Sequence, residues 1–210
     1  MNVFEEMRRG RAYDIRDKDY QEQVHGEIDR GNYLCQQMNM SKTLVIYYSR
    51  RGQNYVNGSI ENLAKGNTEI AAEYIQQAVD ADIFEVDTKK PYAEDYTKCT
   101  EEAKEELRNK VFPELVKQLD SVADYDNIVV AGPCWWGTYP MAVFTQLEAL
   151  DFQGKKVFPL MTHEGSGLAG SAAALKKYCP GAVVGEGLAI HGAETIASEE
   201  MIKDWAKRNL

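Results

Sequence analysis

Three short stretches of the 210-residue chain carry side chains that could hold a small molecule between them. The first reads Ser49-Arg50-Arg51-Gly52-Gln53-Asn54 and leads to a second polar turn, Gly66-Asn67-Thr68. Short hydroxyl and amide side chains at a helix start either cap the helix or leave its backbone N–H groups aimed at a phosphate, in the positive end of the helix dipole. The arginines either supply charge to a phosphate dianion or form a solvated pair. The second stretch reads Gly132-Pro133-Cys134-Trp135-Trp136-Gly137-Thr138-Tyr139-Pro140. Two tryptophans in a loop framed by glycine and proline have two explanations. Either a planar ligand lies against them, or Trp135 and Trp136 are core pegs beneath a structural turn. The third reads Thr162-His163-Glu164-Gly165-Ser166-Gly167. A small-residue loop ahead of a helix can close over a flat ring and offer backbone donors. His163 is either a general acid beside such a ring or a loop residue satisfied by its neighbours.

Several other chemistries are excluded by residues that are missing. The lysine-bearing phosphate loop of nucleoside triphosphatases is absent. Ser166 is not in a nucleophile elbow, because position 164 is glutamate and position 168 is leucine. Gly185-Glu186-Gly187 is followed by Ile190 where a dinucleotide fingerprint needs glycine. Cys35, Cys99, Cys134 and Cys179 form no Cys-x-x-Cys, and His25, His163 and His191 do not cluster with them. Zinc and thioredoxin-like chemistry are thereby disfavoured, and reduced thiols are expected. The formal charge is −9, with no long run of lysine or arginine, so nucleic acid is not an expected partner. The longest apolar run, near residues 128–136, is about half of the ~18 residues a membrane span requires. The first residues, Met1-Asn2-Val3-Phe4-Glu5-Glu6, lack the basic start and apolar middle of a signal peptide, so a cytoplasmic location is expected.

The elements that must position the three stretches follow from hydrophobic periodicity. Buried strands are expected at residues 43–48, 82–86, 127–131, 156–160 and 182–187, with Pro159 awkward for a central strand. Helices are expected at 68–79, across most of 91–119 with a break at Pro113, and at 141–150, 168–178 and 198–208, the last capped by Ser198. A long loop is expected at 49–67. This alternation implies an α/β fold, a doubly wound five-stranded parallel sheet of order 2-1-3-4-5 with helices on both faces. In such sheets ligands bind beyond the carboxyl ends of the strands, at the switch point, which is where the three stretches fall.

Residues 1–40 form a separate polar extension with two expected helices, too poor in apolar surface to fold alone. Met7-x-x-Gly10-x-x-Tyr13-Asp14 and the closing Leu34 to Asn39 segment resemble the helical leader of maltose- and galactoside-type acetyltransferases. The β-helix repeats that carry acetyl transfer in that family are absent, so the extension is read as a docking or homo-oligomer element. The domain of residues 41–210 has its own resemblance. Tyr48-Ser49-Arg50, Gly66-Asn67-Thr68, Pro133-x-Trp135-Trp136-Gly137-x-x-Pro140 and the 162–167 loop together resemble the flavodoxin-like family over residues 41–193. That resemblance implies bound FMN. It places Ser49, Arg50, Asn54, Asn67 and Thr68 around the phosphate. It places Pro133, Trp135, Trp136 and Gly137 on one side of the isoalloxazine, and Thr162, His163, Gly165, Ser166 and Gly167 on the other. Some twenty residues separate Ser49 from Thr68, so either polar turn can be the phosphate seat, helix-start geometry favouring the second.

Three functions are compatible with these features. One is electron transfer between redox partner proteins. One is reduction of a quinone or related acceptor at the expense of a nicotinamide. The third is a flavin-free binding or assembly module.

Overall fold

The computed structural model describes residues 41–210. Residues 1–40, with the two helices expected there and the acetyltransferase-like motif, lie outside the described residues.

Strand β1 (Thr43–Tyr47) is buried along its whole length. Its side chains alternate between two cores. Leu44 and Ile46 enter one apolar cluster, and Val45 and Tyr47 enter the other. Period-two alternation with both faces apolar is what a strand sandwiched between helix layers requires. Parallel pairing with β4 (Asp82–Glu85) sets Leu44 opposite Asp82 on one side. Pairing with β5 (Asn127–Pro133) sets Val45 opposite Val129 on the other. Strand β6 (Lys156–His163) follows β5 and pairs in turn with β7 (Val183–Val184), giving the order β4-β1-β5-β6-β7. The expected 2-1-3-4-5 order is therefore present.

Helices α1 (Asn67–Val79) and α5 (Glu199–Asn209) cover one face through Ala71, Ala72, Ile75, Ile202 and Trp205. Helix α3 (Met141–Glu148) and helix α4 (Ser171–Tyr178) cover the other through Val143, Phe144, Leu147 and Leu175. Helix α2 (Tyr96–Asn109) lies on that second face and packs Leu107 on its core.

Four expectations are corrected. The long loop at 49–67 holds an antiparallel hairpin, β2 (Gly52–Val56) and β3 (Ser59–Leu63), that stands outside the main sheet. Its turn is Asn57-Gly58 with φ of 47° and 94°, the doubly left-handed pair of a type I′ turn. The helix expected across 91–119 is confined to α2. Asp95 caps its start by accepting from the Lys98 N–H at 2.9 Å, and Lys110, at φ 52°, ends it in the left-handed region. The fifth strand is split into β7 (Val183–Val184) and β8 (Leu188–His191), which pair with the two ends of β6. Pro159 stands between those pairings with no N–H to give, and glycine at 185 and 187 is required because a Cβ there would meet Phe158 at 2.3 Å and Leu168 at 2.7 Å. Finally, Ser198 makes no side-chain cap bond. Two short 3₁₀ turns, Gly192–Glu194 and Ile196–Ser198, feed α5 instead.

Candidate functional site

The crevice lies at the carboxyl ends of β1, β5 and β6. Its polar end is built on α1. Gly66, not Asn67, takes the N-cap position, and no side chain caps the helix. Ser49, just past β1, accepts the Glu69 N–H through Oγ at 3.0 Å, and the Ile70 N–H bonds to Gly66 O. The N–H groups of Asn67 and Thr68 have no protein acceptor among the described residues. Unanswered donors at the positive end of a 13-residue helix are suited to an anion. The strand end and helix start meet so closely that a Cβ on Gly66 would lie 2.2 Å from Ser49 Oγ and 2.6 Å from Arg50 O. Thr68 Oγ1 and Thr162 Oγ1, both buried, share a hydrogen bond of 2.8 Å that ties α1 to the end of β6.

Both arginines are engaged by protein acceptors. Arg50 donates from Nε to Gln53 O at 2.8 Å and from Nη2 to Ala93 O at 2.9 Å and Glu94 O at 2.8 Å. It buckles the hairpin base to the segment before α2. Arg51 pairs with Glu69 at 3.0 Å and Glu85 at 2.8 Å, and these carboxylates hold its proton more firmly than usual. Asn54 turns its amide onto Arg50 O and Gly52 O.

The aromatic wall separates the two tryptophans. Trp135 packs edge-on against Tyr48, ring centroids 5.3 Å apart, and against Tyr92 at 5.0 Å. It is half-buried on the core margin and serves in part as the peg. Trp136 is 51 % exposed and is not a core residue. The residues 135–138 close on themselves, with Trp135 N–H to Thr138 O at 2.9 Å and Thr138 N–H to Trp135 O at 3.1 Å. Their middle pair, Trp136 and Gly137, has φ of 53° and 82°. A bulky side chain in the left-handed region is strained, a condition that clusters at ligand sites. The Trp136 indole is pinned by Nε1–H to Thr100 O at 2.9 Å, with Lys104 Nζ 4.8 Å from the ring centroid.

The opposite wall is the loop after β6. Gly165 and Gly167 have φ of 120° and 59°, and Ala169 follows at 42°. His163 Nδ1 accepts the Gly165 N–H at 2.9 Å, which leaves the ring proton on Nε2. Burial, reinforced by His191 with its ring centroid 5.8 Å away, holds His163 below the ordinary histidine range. Glu164 Oε2 accepts the Asn57 N–H at 3.1 Å and stands 3.8 Å from His191 Nε2, joining the hairpin tip to this loop.

The crevice itself is lined by Ser49, Arg50, Asn54, Asn67, Thr68, Pro133, Trp135, Thr162, His163 and Ser166. Trp136 lines a neighbouring hollow. Gly137, Gly165 and Gly167 shape the turns without lining either space. The crevice also recruits Tyr55, Tyr96, Cys134, Glu164 and Gly192, none of which the sequence reading assigned a site role. Tyr55 stacks on Tyr96 with centroids 6.2 Å apart and planes 25° apart. The Asn57-Gly58 turn was the available signal for Tyr55, since it implies strands on both sides. Among the described residues no group of three or more His, Cys, Asp or Glu side chains could hold a metal ion.

The unanswered helix-start donors, the buried hydroxyls and the aromatic wall fit a phosphorylated flavin. The chain belongs to the flavodoxin family, whose model matches residues 42–209. A solved structure of a protein from Bacteroides uniformis, provisionally described as a flavoprotein, is 30 % identical, with 80 % of this chain and 98 % of that one covered at a TM-score of 0.62. A second, from Bacteroides eggerthii and described in the same terms, is 27 % identical over 80 % of this chain and 97 % of that one, at 0.63. A flavoprotein from Lactobacillus acidophilus, solved in complex with FMN, shares the fold at 23 % identity over 75 % of this chain and 97 % of that one, at 0.53. No curated protein matches. No described helix is long and apolar enough to cross a membrane.

Proposed function

We propose that this protein is an FMN-dependent electron carrier. The observation that carries the reading is the uncapped start of α1, where the Asn67 and Thr68 N–H groups have no acceptor among the described residues, beside the Ser49 and Thr68 hydroxyls. These groups would hold the phosphate. Trp135 and the 162–167 loop would hold the isoalloxazine between them. When bound, the flavin supplies the redox chemistry, accepting and releasing electrons singly or in pairs. The chain orients the ring and excludes water from it. The charge of −9 favours encounter with redox proteins that present a basic face. The cytoplasm is the compartment this reading assumes, and residues 1–40 are its proposed oligomer contact.

The test is the visible absorption spectrum of the purified full-length protein. Preparations should be yellow, with flavin released as FMN on denaturation. A colourless preparation that does not take up added FMN would return the protein to the flavin-free binding module.

A second reading, a nicotinamide-dependent reductase of a quinone-type acceptor, is favoured by the hairpin β2–β3. It brings Tyr55 over the crevice and supplies a wall that a bare carrier does not need. The proton on His163 Nε2 would be available to an acceptor oxygen. Steady-state NAD(P)H oxidation with menadione decides between the two. Turnover supports the reductase, and its absence in flavin-loaded protein supports the carrier.

A further inference from the structure

The β2–β3 hairpin stands apart from the packing that holds the rest of the domain. Val56 is its only buried residue, and among the described residues neither apolar cluster includes any side chain of 52–63. A two-stranded ladder without a packed face is marginal by itself, and segments with few buried apolar contacts open well below the free energy of global unfolding.

Its fastenings lie at three points and are mostly polar. At the base, Arg50 donates from Nε to Gln53 O at 2.8 Å, and Asn54 Nδ2 donates to Arg50 O at 3.1 Å. Along one side, the Tyr96 N–H donates to Gln53 Oε1 at 2.9 Å, and Tyr55 stacks on the Tyr96 ring. At the tip, the Asn57 N–H donates to Glu164 Oε2 at 3.1 Å, an exposed bond. These points belong to opposite walls. Tyr96 begins α2, the helix that also accepts the Trp136 indole N–H at Thr100 O, whereas Glu164 belongs to the loop after β6. The hairpin therefore crosses the crevice from wall to wall, with Asn54 and Tyr55 lining the space it covers. Its far root is fixed, because Gly66 is wedged on Ser49 Oγ and Arg50 O, so release of the hairpin stops short of the α1 start.

We infer that residues 52–63 form a strap that opens and closes as one unit over the crevice and gates the passage of the flavin. Closure is made by the Asn57–Glu164 bond and the Tyr55–Tyr96 stack. Once both are released the ladder loses its support, so release and unpairing occur together. Opening leaves the helix-start donors in place and exposes them. The opening itself is a property of this chain, and the gating role rests on the FMN reading.

Two measurements on the full-length protein test this. The first is native-state hydrogen exchange followed by NMR. The β2–β3 ladder amides should exchange about a hundredfold or more faster than those of β1, with one shared dependence on low denaturant, and should slow when FMN saturates the protein. The second is stopped-flow FMN fluorescence with wild type and Gly58→Val. Gly58 lines none of the crevice, and its φ of 94° is closed to a β-branched side chain, so the variant weakens the turn and with it the closed strap. FMN association and dissociation should both quicken by about fivefold or more, with Kd within about threefold. A fixed wall would quicken dissociation alone. Ladder amides that exchange only together with β1, or an unchanged association rate in Gly58→Val, overturns the inference. Should Gly58→Val fail to fold, wild-type exchange with and without FMN decides. A protein that takes up no FMN sinks the flavin reading and the gate with it, and the exchange rates still decide whether the strap opens.

Discussion

The two walls of the crevice solve one problem by opposite means. The 132–140 wall is made of large rings locked by contact, Trp135 against Tyr48 and Tyr92 and Trp136 against Thr100. The 162–167 wall is made of small residues whose backbone does the work, with Gly165 and Gly167 at positive φ and His163 folded onto the Gly165 N–H. A ring-built wall owes its shape to packing and resists deformation. A glycine-built wall owes its shape to backbone freedom and can conform to what it holds. Rigid contact on one side and adaptable donors on the other fit a flat guest that is clamped on one face and addressed at its edge.

The sharpest break of this contrast is Trp135→Ala. It removes two edge contacts from a half-buried ring and should cost about 3 kcal/mol in denaturant unfolding. The FMN affinity of the refolded protein should fall with it. Next is Thr162→Val, which leaves the buried Thr68 hydroxyl without its 2.8 Å partner and should cost about 1–2 kcal/mol. Gly165→Ala should cost about 1 kcal/mol, because its φ of 120° is closed to a Cβ although the space around it is empty. A loss confined to the first of these three would mean that the small-residue wall is not conformationally set.

A smaller effect comes from pH. His163 binds its proton less readily folded than its ordinary value of 6.5 implies, so the unfolded chain takes up protons first as pH falls. The contribution is whole above that value and is lost as pH drops through the lowered folded range. His163→Gln should flatten this part of the stability curve, which is read from denaturation midpoints. The effect is modest because the ring is partly solvated. The smallest expected change is Trp136→Ala, within about 0.5 kcal/mol in stability, since the ring is half exposed and the turn is strained. A large loss there would make Trp136 a structural residue like its neighbour.

Much of the scaffold was legible because central parallel strands are continuous apolar runs, and 43–48, 127–131 and 156–160 could be little else. From strand order, the rule of the carboxyl edge led to the three loops, and ten of the assigned residues do line one crevice. The hairpin was not read, although Asn57-Gly58 advertised it, because neither flanking strand is buried enough to show periodicity. Tyr55 and Tyr96 were missed with it, since their stacking joins segments some forty residues apart. Arg50 was read by charge alone. Its partners are carbonyl oxygens at 93 and 94, and no local pattern announces a bond across that distance. Leu188–His191 escaped because Gly185 and Gly187 read as the end of a strand rather than as its interruption.

That interruption also governs what the molecule does in a crowd. Beyond β6 a neighbouring chain meets only two short ladders, Val183–Val184 and Leu188–His191, interrupted where the two glycines pass against Phe158 and Leu168. A template this short recruits no further strand, so a border carrying the exposed Val183 is kept from seeding aggregates by its own geometry.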